Sequence, residues 1–159
     1  MPRALLSGYS TTGDAHHATA PDPEGRGLRR AVSAALAMAG AAPSDVAHVN
    51  AHGTGTRLND RAEAVVIREV YEAGAPTVTS AKGALGHTMG AAGAVEAALT
   101  VEALARGIAP PTANHIRPGP DTDGIDVVAG QARDQRIDLA LSHSLGFGGH
   151  NTVLAFTAP

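Results

Sequence analysis

The stretch from Thr88 to Val101 constrains this chain most. Glu96 is its only charged residue, and every other position is small or apolar. A helix with no polar face is buried on every side. Such burial takes one layer of structure above and another below, more than 159 residues readily supply. The segment therefore predicts a central buried helix over about His87–Arg106, with part of its cover coming from outside the chain. A carboxylate on that helix costs several kcal/mol unless paired. Lys82 or a histidine is the natural partner for Glu96.

Around this helix, short apolar runs alternate with helical periodicity. Ala4–Ser10 reads as a strand and Thr11–Gly25 as a loop. Leu28, Val32, Ala35, Leu36 and Ala39 then repeat at helical spacing up to Gly40, which predicts a helix over about Gly27–Ala39. Val46–Asn50 is a short strand. A second helix spans about Leu58–Ala73, with Asn59 or Asp60 able to cap its start and Gly74 ending it. Thr77–Ser80, Ile125–Ala129, Asp138–His143 and Asn151–Thr157 complete the strands. Strands alternating with helices give an α/β class in one domain, 1–159.

Composition excludes several functions. The net charge is −3, from 12 basic and 15 acidic residues, which does not suit a nucleic-acid or anionic-membrane surface. No apolar leader follows Met1, and no uncharged run reaches the roughly 18 residues of a membrane span. A soluble, cytoplasmic protein is expected. There is no cysteine, so no disulfide framework, cysteine zinc site or cysteine nucleophile is carried here. His16 and His17 are adjacent and would point to opposite faces of a strand, and no metal-ligand spacing occurs. No metal is expected.

The polar residues with no packing purpose sit after strands. His52 lies in the Gly/Thr turn Ala51–Thr56, His87 follows Lys82-Gly-Ala-Leu-Gly86, and His150 follows a glycine pair. Loops at strand C-termini are where α/β folds build sites. At a helix N-terminus the dipole disfavours imidazolium, so His87 is expected to be a neutral ring able to donate one N–H. Lys82 is the only lysine, and its compact ammonium does what a guanidinium cannot. Gly86–Gly93 and Gly146–Gly149 match neither phosphate-loop pattern. The second could present amides to an oxyanion, or be only a tight turn between strands.

Four segments in order resemble the C-terminal half of a β-ketoacyl-[acyl carrier protein] synthase. They are Val49-Asn-Ala-His-Gly-Thr-Gly-Thr56 with Asn59-Asp60, Lys82-Gly-Ala-Leu-Gly-His87, Gly90-Ala-Ala-Gly-Ala-Val-Glu96, and Ser144-Leu-Gly-Phe-Gly-Gly-His-Asn151. Asp14–Pro21 and Pro110–Asn114 also fit, so the resemblance covers essentially the whole chain. The nearest flavour is the elongating type II synthase or polyketide ketosynthase. The resemblance implies a thiolase-like fold, C-terminal half only: a mixed sheet with a buried central helix, one half of an α-β-α-β-α sandwich.

It further implies decarboxylative Claisen condensation of acyl and malonyl thioesters carried on the phosphopantetheine of acyl carrier protein, with no other cofactor. His52 and His87 match the two catalytic histidines, and Lys82 the site-ordering lysine. Asp60, Glu63 and Glu96 would form its polar network. Thr54 and Thr56 match residues that hold the pantetheine arm. Phe147 matches the gating residue, flanked by Gly146 and Gly148 at the acyl oxyanion hole, and His17 and Thr19 lie on the entrance loop. Leu145 departs from a common Phe. The nucleophilic cysteine belongs to the family's other half, so the chain alone cannot form an acyl-enzyme.

Three readings stay open. The chain is half of a split synthase whose cysteine sits on an N-terminal half, in a hetero- or homo-oligomer. It is a piece of a longer synthase, with Met1 near the family's half boundary. Or it is a non-catalytic subunit docking on a complete synthase or carrier protein.

Overall fold

The structure, a computed structural model, describes residues 2–71 and 75–159. Seven strands and four helices follow in the order β1 (Leu5–Gly13), α1 (Arg26–Ala39), β2 (His48–Asn50), α2 (Arg57–Tyr71), β3 (Thr77–Thr79), α3 (Lys82–Leu85), α4 (Ala92–Arg106), β4 (Ile108–Ala109), β5 (Arg133–Asp134), β6 (Leu139–Gly146) and β7 (His150–Thr157) among the described residues. Five of the strands form one mixed sheet, ordered β1-β7-β6-β2-β3. β2 runs parallel to β3 and to β6, and β7 runs antiparallel to β6 and to β1. The α/β expectation holds.

Alternation along β6 and β7 divides the core. Leu139, Leu141, Val153 and Ala155 face α1 and α2, packing with Leu28, Val32, Leu36, Val66 and Ile67. Ala140 and Phe156 face the other way, onto Ala103 and Leu104 of α4. Small residues let these layers approach closely. A Cβ on Gly8 of β1 would stand 2.2 Å from the Ala35 carbonyl oxygen of α1, so only glycine fits there.

α4 differs from the expected helix. It buries Ala92, Glu96, Thr100, Ala103 and Leu104. Its opposite face exposes Ala94, Ala98, Leu99 and Ala105, and its charges, Glu102 and Arg106, are confined to the C-terminal end of the helix. The missing polar face thus reports a side left open within this chain. The helix also begins later than His87: α3, then a 3₁₀ turn at Met89–Ala91, precede it. Gly90, within that 3₁₀ turn, interrupts what periodicity alone reads as one run from His87.

Other boundaries moved. β1 extends through Gly13, because Thr11–Gly13 continues pairing with His150–Thr152. Asn59 and Asp60 lie inside α2 rather than capping it, and the expected stop at Gly74 falls outside the described residues. Ile125–Ala129 forms only a Val78–Val127 bridge, not a strand. The β4–β5 ladder, two residues a side, was too short to read from sequence.

Candidate functional site

The C-terminal ends of β2 and β3 are adjacent and parallel, so the chain leaving each arrives at one edge of the sheet. From β2 the turn places His52, which is buried, and from β3 the chain enters α3 at Lys82 and continues to His87. The His52 and His87 rings meet edge to face, their centroids 5.4 Å apart at 82°. Residues 35 positions apart in sequence are thereby set side by side.

The turn itself has little freedom. Gly53 adopts φ +43, and a Cβ there would lie 2.6 Å from that of Ser80. Ser80 Oγ donates to the Gly53 carbonyl at 2.7 Å. The amides of His52 and Gly53 both donate to the Glu63 carboxylate, at 2.8 and 2.9 Å. Glu63, in the second turn of α2, therefore clamps the peptide that carries His52.

Electrostatics set the protonation of His52. Burial pulls its pKa down to about 4, with Lys82, His87 and His143 pushing the same way and Glu63 opposing. At neutral pH the ring is uncharged, and its Nδ1 is buried with no partner. His87 is exposed, and its Nδ1 accepts the Met89 amide at 3.2 Å. With that lone pair engaged, the ring proton sits on Nε2, free to be donated. This local bond, rather than the start of α4, fixes the ring, since α4 begins five residues later.

Lys82 Nζ bonds the Glu96 carboxylate, and both side chains are almost fully buried, at 5% and 3% exposure. Burial raises the Glu96 carboxyl above its ordinary value while Lys82 draws it down. The Glu96 carbonyl oxygen accepts from Asn50 Nδ2 and Thr100 Oγ1, which ties α4 to β2.

The single network expected around Lys82 is corrected. Glu63 makes no bond to Lys82. Burial would raise its carboxyl, but the hydrogen bond and charge of His143, with the Gly53 amide, hold it below its usual range. Asp60 accepts from the Asn59 side chain and from the Gly55 and Thr54 amides rather than from Lys82, and burial raises it. Two separate buried networks thus flank His52. Sequence reading missed His143, the centre of the second. Its signal was register: it stands in phase with Leu139 and Leu141, on the buried side of β6.

Thr54 and Thr56 share a hydroxyl hydrogen bond of 2.7 Å at the solvent side of the turn. Phe147 is 74% exposed at the tip of the β6–β7 hairpin, where Gly148 and Gly149 take φ +83 and +75. Gly146 closes the ladder opposite His150, which is exposed. The Gly148 amide already donates to the Ala18 carbonyl at 2.7 Å, so it is not free for an oxyanion. That bond, and one from the Asp14 amide to Gly149, tie the hairpin tip to the loop carrying His17 and Thr19. His17 Nδ1 accepts the Thr19 and Ala20 amides, each at 3.1 Å.

A cleft of about 680 Å³ lies beside the turn, lined by Thr54, Lys82, Ser80 and Arg117 among others, but not by His52 or His87. Among the described residues no three His, Cys, Asp or Glu side chains converge as a metal site, and no helix is long and apolar enough to cross a membrane.

Comparison with known proteins matches residues 3–115 to the family model described as "Beta-ketoacyl synthase, C-terminal domain". The 3-oxoacyl-[acyl-carrier-protein] synthase 2 of Mycobacterium leprae is 47% identical over 153 residues, 96% of this chain and 36% of the relative. Among solved structures, the ishigamide ketosynthase/chain length factor superposes with a TM-score of 0.93 at 36% identity, over 99% of this chain and 38% of that one. A type II polyketide ketosynthase in complex with its acyl-carrier protein, bound to the hexaketide, gives 0.94 at 31%, over 99% and 39%. This chain spans little more than a third of the length of these relatives. It belongs to the β-ketoacyl synthase C-terminal domain family and has the thiolase-like fold of a ketosynthase's C-terminal half.

Proposed function

We propose that this member of the family, as one unit over 1–159, contributes the two-histidine and lysine part of a decarboxylative condensation site, with the cysteine supplied by an N-terminal half. The observation that carries this reading is the His52–His87 pair, edge to face at 5.4 Å above the buried Lys82–Glu96 pair. In that reaction a malonyl thioester on carrier-protein phosphopantetheine loses CO₂. The electrons of the broken C–C bond pass to the thioester as an enolate. Its carbon then attacks the acyl group held on the cysteine, forming a C–C bond as the C–S bond breaks and the thiolate leaves.

The residues here would act on the enolate oxygen. Two imidazoles, each donating one N–H, would stabilise charge that develops only during decarboxylation. His87 has its Nε2 proton available for this. The depressed pKa of His52 keeps it uncharged at working pH. Lys82 would order the site through Glu96 rather than touch the reacting atoms. Thr54 and Thr56 would hold the pantetheine arm, Phe147 would gate the acyl pocket, and His17 and Thr19 would line the entrance.

The open face of α4 fits the missing half. Ala94, Ala98 and Leu99 present a close-packing surface without charge, and Leu85, Met89 and Phe147 are also exposed. The test is reconstitution with a cysteine-bearing N-terminal half, carrier protein and malonyl and acyl thioesters. Condensation that is lost by more than a hundredfold in His52→Ala and His87→Ala supports the reading. Turnover unchanged in either variant sinks it. A second reading, favoured by the absence of cysteine, is a non-catalytic subunit docking on a complete synthase. It predicts binding without any dependence of turnover on these histidines.

A further inference from the structure

His143 lies on β6 with no exposed surface. Its Nδ1 stands 3.1 Å from Glu63 Oε1, the same oxygen that accepts the His52 amide, and its Nε2 is buried without a partner. The other carboxylate oxygen takes the Gly53 amide and, at 3.4 Å, Asn59 Nδ2. That asparagine contact is long and divided, because the same nitrogen donates to Asp60 at 3.1 Å. Among the side chains bonded to Glu63, His143 is the one able to carry positive charge. A fully buried carboxylate depends on such a partner.

The surroundings leave His143 little else to do. β7 sets Val153 opposite it, and the buried residues of α1 are all apolar or glycine. The charged and titratable groups near it are Glu63 and Asp60 on α2 and His52 after β2. Lys82 and His87, between β3 and α4, bear electrostatically on His52, and Glu63 bears on Glu96 of α4 and on the buried Tyr71 of α2.

We propose that His143 is a positioning residue for His52. By donating from Nδ1 to Glu63 it holds the carboxylate that clamps the His52 and Gly53 amides, and so fixes how the His52 ring faces His87. The inference rests on the proposed function only for why that orientation matters.

Amide hydrogen exchange and histidine NMR on this chain provide the test. In the wild type, the His143 Nδ1–H gives a slowly exchanging signal correlated with its ring nitrogen. A bare Nδ1 overturns the proposal before any variant is made. His143→Leu raises exchange at the His52 and Gly53 amides about tenfold, the scale of one lost hydrogen bond to a charged group. The Leu141 and Val153 amides of the β6–β7 ladder change far less. His143→Asn restores protection to within about threefold, because the asparagine side-chain nitrogen hangs from Cγ as Nδ1 does. Protection retained in His143→Leu, loss spread evenly over β6 and β7, or no rescue by Asn overturns it. If the leucine variant does not fold, the wild-type Nδ1–H and the Asn variant decide.

In the reconstituted synthase, His143→Leu lowers kcat with KM for the carrier unchanged. If wild-type turnover is itself absent, the proposed function fails while the exchange result still stands or falls by itself.

Discussion

Replacing Lys82 by methionine isolates the buried ion pair beneath the histidines. Methionine keeps the length of the stem and removes the ammonium, leaving the Glu96 carboxylate alone with side-chain exposures of 5% and 3% at the two positions. Breaking a buried pair from one side costs about 3–5 kcal/mol, because the remaining charge has lost its partner but not its burial. For a chain of this length each kcal/mol moves Tm by about 2–4 °C, so a fall of about 6–20 °C is expected. The loss shrinks as pH falls toward 4.5. The Glu96 carboxyl is already raised by burial, and without Lys82 it takes up a proton more readily in the folded than in the unfolded state. The double variant Lys82→Met/Glu96→Leu recovers most of the stability. The Asn50 and Thr100 bonds go to the Glu96 main-chain oxygen, and a side-chain exchange leaves them in place. Urea unfolding followed by circular dichroism, at pH 7 and pH 5, measures all three. A single variant costing less than about 1 kcal/mol, or a double variant no better than the single, refutes the reasoning.

Two buried histidines make the fold sensitive to acid. His48, between Thr77 and Thr79 on β3, is held like His52 at a pKa of about 4 by burial. Each is uncharged in the folded state but takes a proton below about pH 6.5 once unfolded, so stability falls as pH drops from 6.5 to 4, by up to about 1.4 kcal/mol per pH unit for each ring. Asp60 and Glu96 act in the opposite sense, but only from their ordinary values upward. Urea midpoints unchanged between pH 7 and pH 5 would contradict this. Gly53→Ala forces a side chain into φ +43 and against Ser80, and is expected to cost about 1–3 kcal/mol in chemical denaturation and to shift the His52 ring signals; a neutral outcome would remove the case for a constrained turn. Ala98→Glu, on the open face of α4, leaves the chain's own stability within about 0.5 kcal/mol, as a surface change does, yet abolishes binding of a cysteine-bearing half in calorimetry. Undiminished binding places that partner elsewhere.

The sequence made some of this legible and hid the rest for physical reasons. Helical spacing of Leu28, Val32, Ala35 and Leu36 identified α1 because one face meets the sheet and the other meets water. The helix expected over about His87–Arg106 starts only at Ala92, because small residues keep the apolar pattern going through Gly90, where the chain makes a 3₁₀ turn. The ladder β4–β5 has too few residues to leave a pattern. At the site, His52 and His87 were visible because they follow strands in glycine-rich turns. The sorting of acidic partners was not. Which carboxylate meets which base depends on the side of the sheet each element packs against, and that is decided by the tertiary fold. Glu63 on α2 and Glu96 on α4 approach from opposite faces, so they answer different bases.

That opposition also explains why a helix without a polar face and a site without a nucleophile occur in one chain. On the α1 and α2 side the sheet is closed: two helices cover Leu141, Val153 and Ala155 completely. On the α4 side the helix buries Glu96 against the sheet, while its outer face is uncharged from Ala94 through Leu99 and carries Glu102 and Arg106 only at its C-terminal end. Burying Glu96 beneath α4 and pairing it with Lys82 brings a large electrostatic cost to a layer that is itself only half covered. A fold that stabilised this chain for its own sake would place an apolar residue at Glu96 and a charged stripe at Ala94 and Ala98. The chain does the reverse on both faces of the same helix. Under the proposed reading the two departures have one cause. The ion pair orders the floor of a site, and the uncharged stretch of the outer face receives the partner that brings the cysteine to it.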